Sequence, residues 1–113
     1  MTSEQELSSL WQGVTLVISM HLEYDIERGS YNLALTLAEN VTPLSGRVDV
    51  LFKDVGELEL RSFGGGLSQF LHLSIADESD RGLDRINYRI SELERDAISF
   101  TCSDIEIVRP ASV

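Results

Sequence analysis

The sequence of 113 residues has one cysteine, Cys102, and only two prolines and two histidines. A single cysteine excludes a disulfide within the chain and is typical of a reducing compartment. The apolar runs cover a few residues each, far short of the ~20 that a membrane-spanning helix needs. Residues 1–6 are acidic, where a signal peptide would be basic. We therefore expect one cytoplasmic domain comprising residues 1–113.

Basic residues are scarce as well. Nine lysines and arginines against nineteen aspartates and glutamates give a formal net charge of −10. The acidic excess lies towards both ends of the chain and leaves residues 41–76 nearly neutral. Such a charge repels nucleic acid and anionic membranes and attracts cationic partners. We expect neither nucleic acid nor membrane as a partner, although acidity can also serve solubility alone.

No group of residues in the sequence matches a catalytic or metal-binding motif. His21 and His72 have no partners at the spacing of zinc ligands, so both are expected to be partly buried strand residues. Residues 64–66 are three glycines without the lysine and helix of a phosphate loop. Residues 77–88 begin like a calcium loop but end in Tyr88 instead of glutamate, leaving at most a weak surface cation site. We predict no metal, no cofactor and no enzyme activity.

Alternation of apolar and polar residues predicts a chain built mainly of β-strands. The longest alternation covers residues 14–26, whose even-numbered side chains are expected to face the core. Residues 3–12 resemble a short amphipathic helix. The other alternating segments are residues 31–37, 48–52, 58–60, 71–75, 86–90 and 98–107. These features predict a mainly β fold, an antiparallel meander of about seven or eight strands curved into a sandwich or partly open barrel, with a short N-terminal helix.

The glycine triplet separates two of these segments, and the rest of the chain is expected to be organised around them. Three consecutive glycines permit positive φ and suit a tight reversal, a bulge or a close crossing. We expect residues 58–60 and 71–75 to be joined there. Residues 53–56 are expected to form a turn that leads into the first of the two strands.

The last strand contains a change of parity between Cys102 and Ile105. A strand that keeps one face buried needs an extra residue at such a point, so we predict a β-bulge at Ser103-Asp104. A hairpin closed by residues 94–96 would place Tyr88 opposite Cys102 before the bulge. Beyond the bulge the register would be shifted by one residue, which would place Arg85 opposite Glu106, an exposed pair worth about 0.2–1 kcal/mol.

Two acidic patches are the candidate partner-binding residues. The first lies at the end of the longest predicted strand, and the second lies in the loop that follows residues 71–75. Each patch could equally be a solvated rim. The candidate residues are Glu23, Asp25 and Glu27 in the first patch and Asp77, Glu78 and Asp80 in the second.

Three motifs in the second half of the chain resemble a known family. They are Phe52-x-x-Val55-x-x-Leu58-x-Leu60, Ser62-Phe63-Gly64 and Ile98-Ser99-Phe100-x-Cys102-x-x-Ile105-x-Ile107. Over roughly residues 48–108 the chain resembles small bacterial immunity proteins that neutralise polymorphic or contact-dependent toxins. The resemblance implies a stoichiometric inhibitor of a cognate toxin, often a basic nuclease whose phosphate groove an acidic partner can block. Toxin-facing residues vary in such families, so no binding residue is carried over.

Two other classes of function stay open at this point. One is a small-ligand or carbohydrate-binding module that uses Trp11, Phe70 and His72 on the concave face of the sheet. The other is a structural, homo-oligomeric β protein joined through a strand edge or an apolar patch. The oligomeric state and the identity of the toxin do not follow from the sequence.

Overall fold

The computed structural model describes residues 15–41, 44–61, 65–66, 69–70, 73–78, 82, 86–94 and 96–109. These residues form β-strands and no helix, so none of them belongs to a helix that could cross a membrane. The strands are β1 (Leu16–Asp25), β2 (Ser30–Ala38), β3 (Asn40–Val41), β4 (Leu44–Ser45), β5 (Val48–Leu60), β6 (Leu73–Asp77), β7 (Tyr88–Glu92), β8 (Ile98–Cys102) and β9 (Asp104–Arg109). The predicted helix at residues 3–12 lies outside the described residues.

Seven of the strands form one open antiparallel sheet. Their order is β1-β2-β5-β8-β7-β6, and β9 pairs with β5. The two short strands β3 and β4 pair separately. The predicted mainly β, antiparallel fold is confirmed. The 13-residue β5 is its longest strand: its first half lies between β2 and β9, and its second half pairs with β8.

The middle of β5 is bent, because Asp54 and Glu57 have φ of 56° and 52°, in the left-handed region. The partner strand is interrupted at the same level, where Ser103 separates β8 from β9. The backbone amide of Ser103 donates to the carbonyl oxygen of Lys53 at 2.8 Å, and its hydroxyl donates to Asp54 Oδ2 at 2.7 Å. These hydrogen bonds join the bend in β5 to the break between β8 and β9. The predicted turn at residues 53–56 is wrong, since the strand continues through this bend.

Because β5 bends, side chains of its first half can pack against side chains of β8 in the core. Phe52 of β5 and Phe100 of β8 meet edge to face with ring centroids 4.9 Å apart. Around this pair lies a core supplied by all seven strands of the sheet. Its other buried members are Val17, Leu33, Leu35, Leu37, Val48, Val50, Phe70, Leu73, Ile75, Tyr88, Ile90, Ile98, Cys102 and Ile105.

The two edge strands of the sheet approach each other at one point within the described residues. Leu16 of β1 forms a bridge with Gln69, and the amide of Phe70 donates to the carbonyl oxygen of Thr15 at 2.9 Å. Residues 69–70 lie shortly before β6 in the chain. This contact brings the start of β1 next to residues that precede β6, the strand at the other edge of the sheet.

The segments on either side of the glycine triplet are not neighbours in the sheet. β8 and β7 lie between β5 and β6. Of the three alternatives for the glycines, a tight reversal that pairs residues 58–60 with 71–75 is therefore wrong, because two strands separate these segments in the sheet. Alternation identifies a strand but not its partner, because pairing depends on residues distant in sequence.

The predicted inner face of β1 is wrong in part. The pairing with β2 shifts between Val17 and Ser19, so Val17 enters the core and Ile18 is exposed. Beyond this irregularity Met20 packs against the core. Leu22 and Tyr24 share its face but are exposed, because the end of the β1–β2 hairpin extends past the residues that cover the core.

The predicted register of β7 and β8 is confirmed, since Tyr88 lies opposite Cys102. The predicted parity change is also present, because Cys102 and Ile105 are both buried on either side of Ser103. Beyond that point the strand pairs with β5, and the carboxylate of Glu106 lies 3.2 Å from Lys53 Nζ. Arg85 lies outside the described residues, so its pairing with Glu106 stays a prediction.

Candidate functional site

The first predicted acidic patch lies at the tip of the β1–β2 hairpin. Glu23, Asp25 and Glu27 line one open groove of about 310 Å³. Tyr24, Ile26 and Asn32 complete its lining. The structure thus brings the three carboxylates together beside exposed apolar side chains.

Asp25 has a structural role in this tip. Its Oδ1 accepts hydrogen bonds from the backbone amides of Glu27 at 3.1 Å and Arg28 at 3.2 Å. Its carbonyl oxygen accepts a third from the amide of Gly29, whose φ of 70° suits glycine. Aspartate commonly organises turns through such bonds. Glu23 and Glu27 therefore carry the exposed charge of this patch, while Asp25 fixes the turn.

An apolar surface continues from the core onto the same hairpin. Leu22 lies opposite Leu33, and Tyr24 lies opposite Tyr31, so the four side chains share one face. Leu33 is buried, whereas Leu22, Tyr24 and Tyr31 are 47%, 50% and 48% exposed. The two tyrosine rings meet edge to face with centroids 5.1 Å apart. We call Leu22, Tyr24 and Tyr31 the hairpin patch.

A second open groove, of about 330 Å³, lies between the hairpin and the bend of β5. Tyr31 lines this groove, whereas Tyr24 lines the first, so the tyrosine pair joins the two. Its other lining residues are Gly29, Ser30, Asp54, Val55, Gly56, Glu57, Ile86 and Thr101. The left-handed backbone at Asp54 and Glu57 thus forms one wall of a surface groove.

The lining of the two grooves is acidic. Among the described residues it includes the carboxylates of Glu23, Asp25, Glu27, Asp54 and Glu57 and no lysine, arginine or histidine. The nearby Arg28 lies in the hairpin turn and does not line either groove. Glu23 lies opposite Asn32, so both point to the face of the hairpin opposite to the tyrosine pair, whereas Tyr31 and Glu57 line the second groove. A ligand that fills both grooves would therefore contact both faces of the hairpin tip.

The second predicted patch is only partly described. Asp77 ends β6 opposite Tyr88 and is exposed, whereas Asp80 lies outside the described residues. Glu78 is partly buried, and its Oε1 lies 3.5 Å from Arg89 Nε. The same guanidinium approaches Glu57 Oε2 at 3.7 Å. Arg89 therefore offsets part of the charge of the second patch and part of the charge of Glu57 in the second groove, whereas it forms neither contact with the first patch.

Two further residues singled out in the sequence, Phe70 and His21, are among those that the structure describes. Phe70 is buried in the core, and His21 is exposed rather than partly buried as predicted. Trp11 and His72 lie outside the described residues. Among those that are described, no group of histidine, cysteine and carboxylate side chains could hold a metal ion.

Sequence reasoning missed the hairpin patch and the second groove. It assigned Leu22 and Tyr24 to the core because they continue the alternation of β1. One signal could have revealed them: the alternation over residues 14–26 is longer than that of any segment predicted to cover it. Where no other segment covers the end of such a strand, its apolar residues there are exposed.

The family model described as Immunity protein PIM8 matches residues 8–108 of the chain. The match covers most of the chain and includes every residue that lines the two grooves. Searches of curated proteins and of solved structures gave no match.

Proposed function

The chain belongs to the Immunity protein PIM8 family, and from this premise we propose that it binds a cognate bacterial toxin domain and neutralises it through an acidic surface. Membership of the family gives an immunity role and a partner toxin in general terms. It also suggests a non-catalytic inhibitor, which acts by occupying the toxin and not by modifying it. We place this action in the cytoplasm.

One observation supports the acidic surface as the means of inhibition. The described residues that line the two grooves beside Tyr24 and Tyr31 include five carboxylates and no basic side chain, in a chain of net charge −10. An enzyme that cleaves nucleic acid offers a basic groove to phosphates. A rigid acidic protein can occupy such a groove in place of the substrate. We therefore propose a basic nuclease as the toxin.

The same charge would speed the encounter with a basic toxin. Electrostatically steered complexes associate at roughly 10⁸–10⁹ M⁻¹s⁻¹ at low salt, and the rate falls steeply as salt is added. Stopped-flow mixing at several ionic strengths measures this dependence. A rate that does not change with salt would argue against the acidic surface while leaving the immunity role intact.

The decisive experiment uses the protein encoded immediately upstream as the candidate toxin. We expect its toxic domain to co-purify with this chain in a defined ratio, and co-expression of the chain to restore growth of cells that produce the domain. In vitro, a nuclease toxin should lose activity in proportion to the amount of chain added. Absence of both binding and rescue would remove the proposal.

A further inference from the structure

We propose that the hairpin patch and the two grooves beside it form the docking surface for the toxin, and that the bound segment carries lysine or arginine side chains among apolar ones. The inference rests on the proposed function and assigns it to one place on the molecule. It concerns Leu22, Tyr24 and Tyr31 together with the carboxylates on either side of them.

The apolar part of the argument comes from the position of the patch in the fold. Leu22, Tyr24 and Tyr31 lie on the face of the hairpin that forms the core at Leu33, yet each is about half exposed. Apolar side chains scattered singly over a surface are ordinary, whereas a contiguous group continuous with the core typically marks an interaction site. Tyrosine is enriched at the centres of interfaces because it offers a large, stiff, amphipathic surface.

Charge decides between the occupants that such a patch could have. A second copy of this chain would bring its own carboxylates against Glu23, Glu27 and Glu57, and like charges facing each other are unfavourable. A segment that carries lysine or arginine side chains would instead attract the same carboxylates and offset their charge. The faces of Tyr24 and Tyr31 can also receive a lysine or arginine side chain through cation–π contacts. The surface therefore favours a basic protein partner over self-association.

The hairpin is also held in place before any partner binds. Asp25 fixes the turn through the backbone amides of Glu27 and Arg28. Asn32 Oδ1 accepts a hydrogen bond of 3.4 Å from the amide of Asp54, which links the hairpin to the bend of β5. A preformed surface loses little conformational freedom on binding, so more of the contact free energy appears as affinity.

Calorimetry tests this inference. It measures the affinity of each purified variant for the toxic domain that is encoded immediately upstream of this chain. We expect Tyr24→Ala and Tyr31→Ala each to weaken binding by about 30-fold or more, the effect typical of a central aromatic residue. Leu93→Ala is the matched control, because Leu93 is 58% exposed and lies in the β7–β8 turn. That variant should bind within about threefold of the unmodified chain.

A second pair of variants isolates the charge. Glu23→Lys combined with Glu27→Lys should slow association and reduce its dependence on salt, whereas Glu94→Lys, in the β7–β8 turn, should change association much less. All the substituted side chains are exposed. Their midpoints of thermal unfolding should therefore lie within about 8 °C of that of the unmodified chain, so every variant is folded at the temperature of the binding experiment.

Hydrogen exchange gives a readout that needs no substitution. Addition of the toxic domain should protect amides of residues 22–31 and 54–57 and leave residues 93–97 unchanged. Binding that Tyr24→Ala and Tyr31→Ala do not weaken, or protection confined to other strands, would overturn the docking surface and leave the proposed function standing. So would a dimer of the chain alone that these two variants dissociate. If the unmodified chain does not bind, the proposed function fails and this inference fails with it.

Discussion

Tyr88 and Cys102 lie directly opposite each other on β7 and β8, and both side chains are buried. Burial, assisted by the negative charge of Asp104, raises the pKa of the Cys102 thiol to about 12. Burial and the neighbouring Asp77 also raise the pKa of the Tyr88 hydroxyl. This part of the core therefore holds two protonated groups that resist ionisation.

The alkaline stability of the protein should reflect the Cys102 thiol. A thiol in the unfolded chain has a pKa of about 8.5, below its value in the folded state. Its contribution to stability is complete below that pH and is lost as the pH rises towards about 12. For one proton the free energy of unfolding falls by up to about 1.4 kcal/mol per pH unit. Urea denaturation at several pH values above about 8 measures this slope.

Cys102→Ala supplies the control for this experiment. The variant starts from a lower stability because it leaves a cavity, but it should lose less free energy of unfolding per pH unit than the unmodified chain. Measurements below about pH 10, the ordinary pKa of tyrosine, keep the ionisation of Tyr88 out of the comparison. Equal slopes in the two proteins would show that Cys102 does not resist ionisation.

A buried carboxylate stabilises the β7–β8 turn. Glu92 is buried, and its two carboxylate oxygens accept hydrogen bonds from the backbone amides of Glu94 at 3.0 Å and Ala97 at 3.1 Å. In Glu92→Gln one acceptor oxygen becomes an amide donor that faces a backbone N–H. We expect the free energy of unfolding to fall by about 1–3 kcal/mol. Glu94→Gln, an exposed control, should change it by less than about 0.5 kcal/mol in the same denaturation assay.

Two aromatic pairs of similar geometry should differ in what they contribute. Phe52 and Phe100 meet inside the core, whereas Tyr24 and Tyr31 meet at the surface. Phe100→Ala should lower the free energy of unfolding by about 3–5 kcal/mol, since it removes a buried ring and leaves a cavity. Tyr24→Ala should cost less than about 1 kcal/mol. Thermal or chemical unfolding of both variants measures the difference, and similar losses would place the tyrosine pair in the core instead.

The sequence predicted correctly those parts of the fold that depend on residues close to one another in the chain. The alternation of β7 and β8 and the short turn between them fix the pairing of Tyr88 with Cys102. The same reasoning located the irregularity at Ser103. The partners of β5 could not be predicted in this way, because β2, β8 and β9 come from distant parts of the chain.

The sequence predicted the charged residues of the candidate site but not its apolar surface or its second groove. The acidic residues of the hairpin tip are visible in the sequence because Glu23, Asp25 and Glu27 alternate along one strand. Alternation shows that Leu22 and Tyr24 lie on an apolar face, but it does not show whether another part of the chain covers that face. The second groove depends on the left-handed backbone of β5, which the sequence does not indicate at a glutamate.

Two glutamates of β5 offer a test of the bend that shapes the second groove. Glu57 lies in left-handed backbone, whereas Glu59 pairs with Ser99 in regular strand. Their side chains are otherwise matched, at 66% and 64% exposed, each beside an arginine. A β-branched residue is strained in left-handed backbone, so Glu57→Val should unfold about 1–2 kcal/mol more easily than Glu57→Asn. At residue 59 valine should be at least as stable as asparagine, because strands favour it. Urea denaturation of the four variants shows which of valine and asparagine is the more stable at each residue. If the same one is more stable at both residues, the bend is contradicted.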